Sequence, residues 1–161
     1  MLNKTLRIGT RESQLALWQS ENVANSLKKM GASSTLIKIK SDGDTDLIMP
    51  LYAIGVQGIF TKTLDVALLE NRIDIAVHSL KDVPTQLPKG IIIAAVLSRG
   101  SVSDVLLRKK DVNNQNFNLT IGTGSLRRKA QWLNKFPNYE VDNLRGNVQT
   151  RIEKLNKSDW H

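Results

Sequence analysis

Short apolar, strand-like runs alternate with stretches of helical periodicity from one end of this chain to the other, and no other feature narrows the fold as much. Leu6 to Gly9 reads as a strand closed by Thr10 and Arg11. A helix follows from about Ser13, with Ala16, Val23, Leu27 and Met30 on one face and Gly31 as its stop. Leu36 to Lys40 alternates, Ile37 and Ile39 facing one way and Lys38 and Lys40 the other, as a half-buried strand does. Ser41 to Asp46 is turn chemistry. Phe60, Leu64 and Leu68 recur at helical spacing and predict a helix over 59–71. Ile73 to Val77 predicts a strand leading into His78-Ser79-Leu80-Lys81-Asp82, before Pro84 and Pro88 mark irregular chain. The apolar run Ile91 to Val96 predicts a strand covered on both faces.

Composition changes around Ser98-Arg99-Gly100-Ser101. Strands are expected near Val105–Leu107, at Leu119–Gly122 and at Tyr139–Asp142. Helices are expected from Ser125 to Phe136, stopped by Pro137, and around Val148, Ile152 and Leu155. The pattern predicts an α/β protein with mainly parallel strands: a first α/β domain over 1–97, a crossover at 98–101 and a second α/β domain over 102–161. In such sheets ligands bind at loops beyond the carboxyl ends of strands. The segments after Ile8, Val77 and Ile121 all begin there.

Two of these junctions are rich in arginine. Gly122-Thr123-Gly124-Ser125-Leu126-Arg127-Arg128 and Leu144-Arg145-Gly146-Asn147-Val148-Gln149-Thr150-Arg151 each read as a loop entering a helix. Helix starts attract anions through free N–H groups, and the guanidinium fork matches carboxylate or phosphate. Arginine in a first helical turn opposes the macrodipole, a conflict that a bound anion removes. Gly122 and Gly124 let backbone approach an anion, or else make a tight strand-to-helix turn, with Ser125 as N-cap. Arg145 and Arg151 read equally as ligand contacts or as solvated charge. Asp82 reads either as a proton-transfer or cation-stabilising group or as a turn residue. Lys81 binds an anion or is solvated, and His78 reads as structural.

The formal charge of +8, divided as +3 over 1–100 and +5 over 101–161, favours an anionic partner without naming it. With no cysteine and only His78 and His161, neither disulfides nor a metal site is expected. No apolar run reaches the roughly 18 residues of a membrane span, and the first residues lack a signal peptide's pattern. A cytoplasmic protein with no membrane partner is the expectation. Trp18, Trp132 and Trp160 read as packing residues. Their helical setting does not match the sheet-borne aromatics of RNA-binding modules, and with no nucleic-acid motif no such partner is expected; the glycine pair, lacking the rest of a dinucleotide fingerprint or P-loop, is a weak nucleotide signal.

Together, Thr10 to Ser13 with Leu15 to Gln19, Asp74 to Pro84, Gly122 to Arg128 and Leu144 to Arg151 resemble, in order and spacing, the motifs of the porphobilinogen deaminase (hydroxymethylbilane synthase) family. The resemblance covers essentially the whole chain. It implies a transferase that joins four porphobilinogen units head to tail, releasing ammonia, to make a linear tetrapyrrole for haem and related pigments. The partners implied are porphobilinogen and the growing polypyrrole, and family members are usually monomeric. Asp82 then occupies the catalytic aspartate position, beside pyrrole N–H groups, where it stabilises the electron-poor azafulvene left by ammonia. Arg11, Ser13, Ser125, Arg127, Arg128, Arg145 and Arg151 become contacts for cofactor or substrate side arms, with Ser79 and Lys81 lining the same cleft.

The implied fold has three α/β domains, the first two like periplasmic binding proteins. The implied cofactor is dipyrromethane, attached to a cysteine of the third domain. By the same resemblance the chain is expected to be truncated, with the second domain incomplete and the third absent, to expose an apolar seam, and to turn over little substrate alone. Ala53 and Gln57 stand where the family usually has lysines, and Gly124 where it usually has serine. A non-catalytic polycarboxylate-binding module on the same half-fold is the alternative function. A nucleic-acid-binding protein is the more distant rival.

Overall fold

In a computed structural model of the chain, the structure describes residues 4–40, 61–110 and 119–161. These fall into two units, 4–40 with 61–96 and 97–110 with 119–161. Both are α/β with parallel strands, as the alternation predicts.

The first unit runs β1 (Leu6–Thr10), α1 (Gln14–Lys29), β2 (Ser34–Lys38), α2 (Lys62–Leu69) and β3 (Ile75–Ala76). Its sheet has the order β2-β1-β3, with Leu6 opposite Ser34 and Ile8 opposite Ile75. Ser13 starts α1 because its Oγ accepts the Ala16 N–H at 3.3 Å, satisfying one of the free donors of the first turn. Gly31, at φ 82°, stops it. Leu64, Ala67 and Ile73 form the core, with Ile37, Ile39, Leu68 and Ala76 packed against it and Ile8 buried in the sheet. Gly9 makes that packing fit: a Cβ there would overlap the Ile73 side chain and lie 2.9 Å from Leu64 Cδ2.

Asp74 ties the start of β1 to the chain entering β3. Its carboxylate accepts from Arg7 N at 2.8 Å, Arg7 Nε at 2.9 Å, Arg7 Nη2 at 3.0 Å and Lys4 Nζ at 2.8 Å. The hydrogen bonds from Arg7, then the one from Lys4, hold its pKa well below the usual carboxylate range. A depressed folded-state pKa gives stability that is present above the unfolded carboxylate value, about 4, and is lost as pH falls below it. Asp74→Asn should therefore lower the melting midpoint at pH 7, with the gap from wild type closing on acidification below about pH 4. A pH-independent gap in thermal melts would refute this role.

The second unit contains β4 (Thr120–Gly122), α3 (Leu126–Lys135), β5 (Glu140–Asp142) and α4 (Val148–Lys157). β4 and β5 are parallel, with Ile121 opposite Val141. Trp132, Phe136 and Tyr139 cluster at ring-centroid distances of 4.7, 5.3 and 5.7 Å where α3 ends. His161 pairs with β4 on both sides of one residue, its N–H donating to Thr120 O and its Nδ1 accepting from Thr120 N, each at 3.1 Å.

Several expectations need correction. Ile91–Val96 and Val105–Leu107 form no strand, and among the described residues nothing pairs with them; Ile92 is 81% and Val105 83% exposed. An apolar run signals a need for burial without naming the neighbour that meets it. Trp18 is not a packing residue here, being 61% exposed on α1. β2 begins two residues earlier than expected, because its length is set by pairing with the five residues of β1. β3 is only two residues long, although Asp74 N and Val77 N extend its hydrogen bonding to Arg7 O and Gly9 O. Phe60, Ala53 and Gln57 lie outside the described residues.

Candidate functional site

Parallel neighbours deliver their carboxyl ends to the same edge of a sheet, so each unit gathers two junctions. In the first unit β1 delivers Arg11 and Ser13, and β3 delivers His78, Ser79, Lys81 and Asp82. Leu80–Asp82 is a 3-10 turn, closed by the Asp82 N–H donating to Ser79 O at 2.9 Å. The Asp82 side chain remains 23% exposed, with Lys81 Nζ 3.8 Å from its Oδ1 and the Lys81 side chain 81% exposed. A carboxylate on a short turn, partly covered and still open to a ligand, suits stabilisation of a nearby cation. The turn itself is closed by the backbone N–H and leaves the carboxylate uncommitted to it.

His78 sits behind this edge. Its Nε2 is buried with no hydrogen-bond partner among the described residues. Burial is the main cause lowering its pKa; Arg11 lowers it too, against the pull of Asp65 and Asp82. Burial thus favours the uncharged imidazole. The Ser79 hydroxyl lies 3.1 Å from Gln19 Nε2 and 3.2 Å from Gln19 Oε1, an amide–hydroxyl contact that fastens this edge to α1.

In the second unit β4 delivers Ser125, Arg127 and Arg128, and β5 delivers Arg145 and, through the turn into α4, Arg151. Ser125 caps α3 by accepting the Arg128 N–H at 3.3 Å, and Asn147 caps α4 by accepting the Thr150 N–H at 3.0 Å. Neither helix has an acidic residue in its first turn, so both N-termini keep their positive character. Arg151 Nε donates to Gly146 O at 2.8 Å, bracing a turn in which Gly146 has φ 114°. Burial, then the charges of Arg128 and Arg145, lower the Arg151 pKa below the ordinary arginine value. The two arginine-bearing loops meet where Gly124 abuts Leu144 O, so Arg128, Arg145 and Arg151 are neighbours near enough to act on one another electrostatically. Arg145 is buried, only 5% exposed, while Arg127 and Arg128 are both exposed in the first turn of α3.

The two glycines of the first motif lie against close neighbours that leave no room for a Cβ. A Cβ on Gly122 would meet the Trp160 ring at 2.6 Å, and one on Gly124 would lie 2.7 Å from Leu144 O. Trp160 itself is held by its Nε1 donating to Asp142 Oδ2 at 2.7 Å.

One residue of this edge escaped the sequence reading. Asp104 accepts both Arg128 Nε, at 3.0 Å, and Arg128 Nη2, at 2.6 Å. The only signal for it in the sequence is that it is the sole acidic residue between Asp82 and Asp111.

A family model described as "Porphobilinogen deaminase, dipyromethane cofactor binding domain" matches residues 6–161. The chain is 48% identical over 151 residues to a probable porphobilinogen deaminase of Methanocaldococcus jannaschii, an alignment covering 93% of this chain and 51% of that one. It is 47% identical over 158 residues to the porphobilinogen deaminase of Campylobacter jejuni, covering 96% and 52%. It is 45% identical over 154 residues to that of Desulforamulus reducens, covering 93% and 50%. The chain spans about half the length of the curated relatives it matches.

Proposed function

We propose that this chain, which belongs to the porphobilinogen deaminase family, binds a carboxylate-rich pyrrole chain and assists the loss of ammonia from porphobilinogen during assembly of a linear tetrapyrrole. The observation that carries this is the cluster of Arg128, Arg145 and Arg151 at the carboxyl edge of β4 and β5. Asp104 already pairs with Arg128 there, so this edge takes a carboxylate in the two-pronged geometry a ligand would use. Each pyrrole of the proposed ligand carries an acetate and a propionate, which match guanidinium forks.

The same donors suit the dipyrromethane cofactor. Three clustered guanidiniums and two capped helix starts are the chemistry its acidic arms require, although the chain has no cysteine to anchor it. Arg127, Arg128, Arg145 and Arg151 would hold it, with Arg11 and Lys81 available to substrate arms. When bound, dipyrromethane supplies the pyrrole end to which the first substrate ring is joined. Ser13 and Ser125 use their oxygens to accept helix N–H groups, which leaves each hydroxyl hydrogen free to donate to a carboxylate. Asp82 is the proposed catalytic group: as ammonia leaves, positive charge grows on the pyrrole, and a fixed carboxylate lowers the energy of that state.

On this proposal, residues 1–97 and 102–161 belong to two periplasmic-binding-protein-like domains joined at 98–101. The protein works in the cytoplasm as a monomer; no helix among the described residues is long and apolar enough to cross a membrane. The test is to fuse the chain to the remaining half of the Campylobacter jejuni relative, add porphobilinogen, and measure ammonia and porphyrin absorbance after oxidation. Sustained release of both is expected. A folded fusion that releases neither counts against the function proposed.

A further inference from the structure

We infer that Asp104 is an internal carboxylate that fills the Arg128 fork until an acidic ligand displaces it, and so sets how tightly the arginine cluster takes polycarboxylates. This deepens the proposed function and rests on it. The contact is two-pronged, at 3.0 and 2.6 Å, the geometry by which an arginine takes a ligand's carboxylate. Asp104 therefore occupies the position a ligand oxygen pair would take, on the arginine whose backbone N–H donates to the Ser125 cap of α3.

The pair is weak enough to exchange. Its side chains are 47% and 53% exposed, and ion pairs so open to water contribute little to stability. A ligand that brings several carboxylates to Arg128, Arg145 and Arg151 together outcompetes a single tethered one. Asp104 belongs to an extended stretch with no strand partner among the described residues, so no sheet hydrogen bond holds it against Arg128. While it stays there it neutralises the charge of Arg128. That lowers the attraction for any anion and favours ligands with enough carboxylates to displace it.

The experiment is calorimetric titration of the chain with tricarballylate, a three-carboxylate probe, at low ionic strength. Asp104→Asn should bind roughly three- to tenfold tighter than wild type, the effect of one nearby charge in a water-exposed setting. The gain should disappear in an Arg128→Gln background and shrink in about 0.5 M salt. Thermal melts confirm folding, and Asp104→Ser provides a second substitution. Equal or weaker binding by both variants, or the same gain without Arg128, overturns the inference while leaving the proposed function standing. A wild-type chain that does not bind the probe overturns both.

Discussion

Asp82→Asn lowers the rate of ammonia release from porphobilinogen by about 100-fold or more in the fusion assay, the scale set by losing one preorganised charge-stabilising group. The substitution keeps the shape of the side chain and the backbone bond from Asp82 N–H to Ser79 O, so the 3-10 turn and the melting midpoint should hold. What it removes is the negative charge. Because that charge matters most when the pyrrole becomes cationic, kcat should fall much more than KM changes. A residue that only closed the turn, through that same backbone bond, would leave both melting and rate intact. A variant retaining more than about a third of wild-type turnover would exclude Asp82 from the chemistry.

The features legible in the sequence are those whose cause is local. Ser13 and Ser125 could be placed at helix starts because an N-cap acts on donors three residues away. Parallel topology followed from alternation, since a strand, a helix and a second strand in succession leave few other arrangements. Features caused by distant residues were not legible. Gly122 is glycine because Trp160 covers it, and a local pattern of two glycines reads the same whether a ring or an anion lies above. Asp104 and Arg128 are 24 positions apart, and a lone aspartate among apolar residues carries no mark of its partner. Ile91–Val96 has the composition of a covered strand, but composition supplies no hydrogen-bonding neighbour. For the site itself, the sequence identified the arginines as a set, while their grouping had to come from β4 pairing with β5. That pairing puts the Arg127–Arg128 junction beside the one that bears Arg145 and Arg151.

This grouping leads to the second large effect: Arg151→Gln should weaken tricarballylate binding by about 10–100-fold, the equivalent of one hydrogen-bonded charge. The fold holds Arg151 among cations at a cost, visible in the downward shift of its pKa by burial and by Arg128 and Arg145. A polycarboxylate offsets that cost, so wild type should gain melting temperature with added probe, in proportion to the logarithm of ligand concentration above Kd. Arg151→Gln relieves repulsion but also loses the bond from Nε to Gly146 O, two opposing changes that leave the unliganded midpoint little altered. The ligand-induced rise should largely vanish, and salt should affect the residual binding less than it affects wild type. If the variant binds within about threefold of wild type with the same salt dependence, the three guanidiniums do not act as one carboxylate receptor. The clustering would then be a consequence of how α3 and α4 begin, and the substrate arms would have to be held elsewhere in the protein.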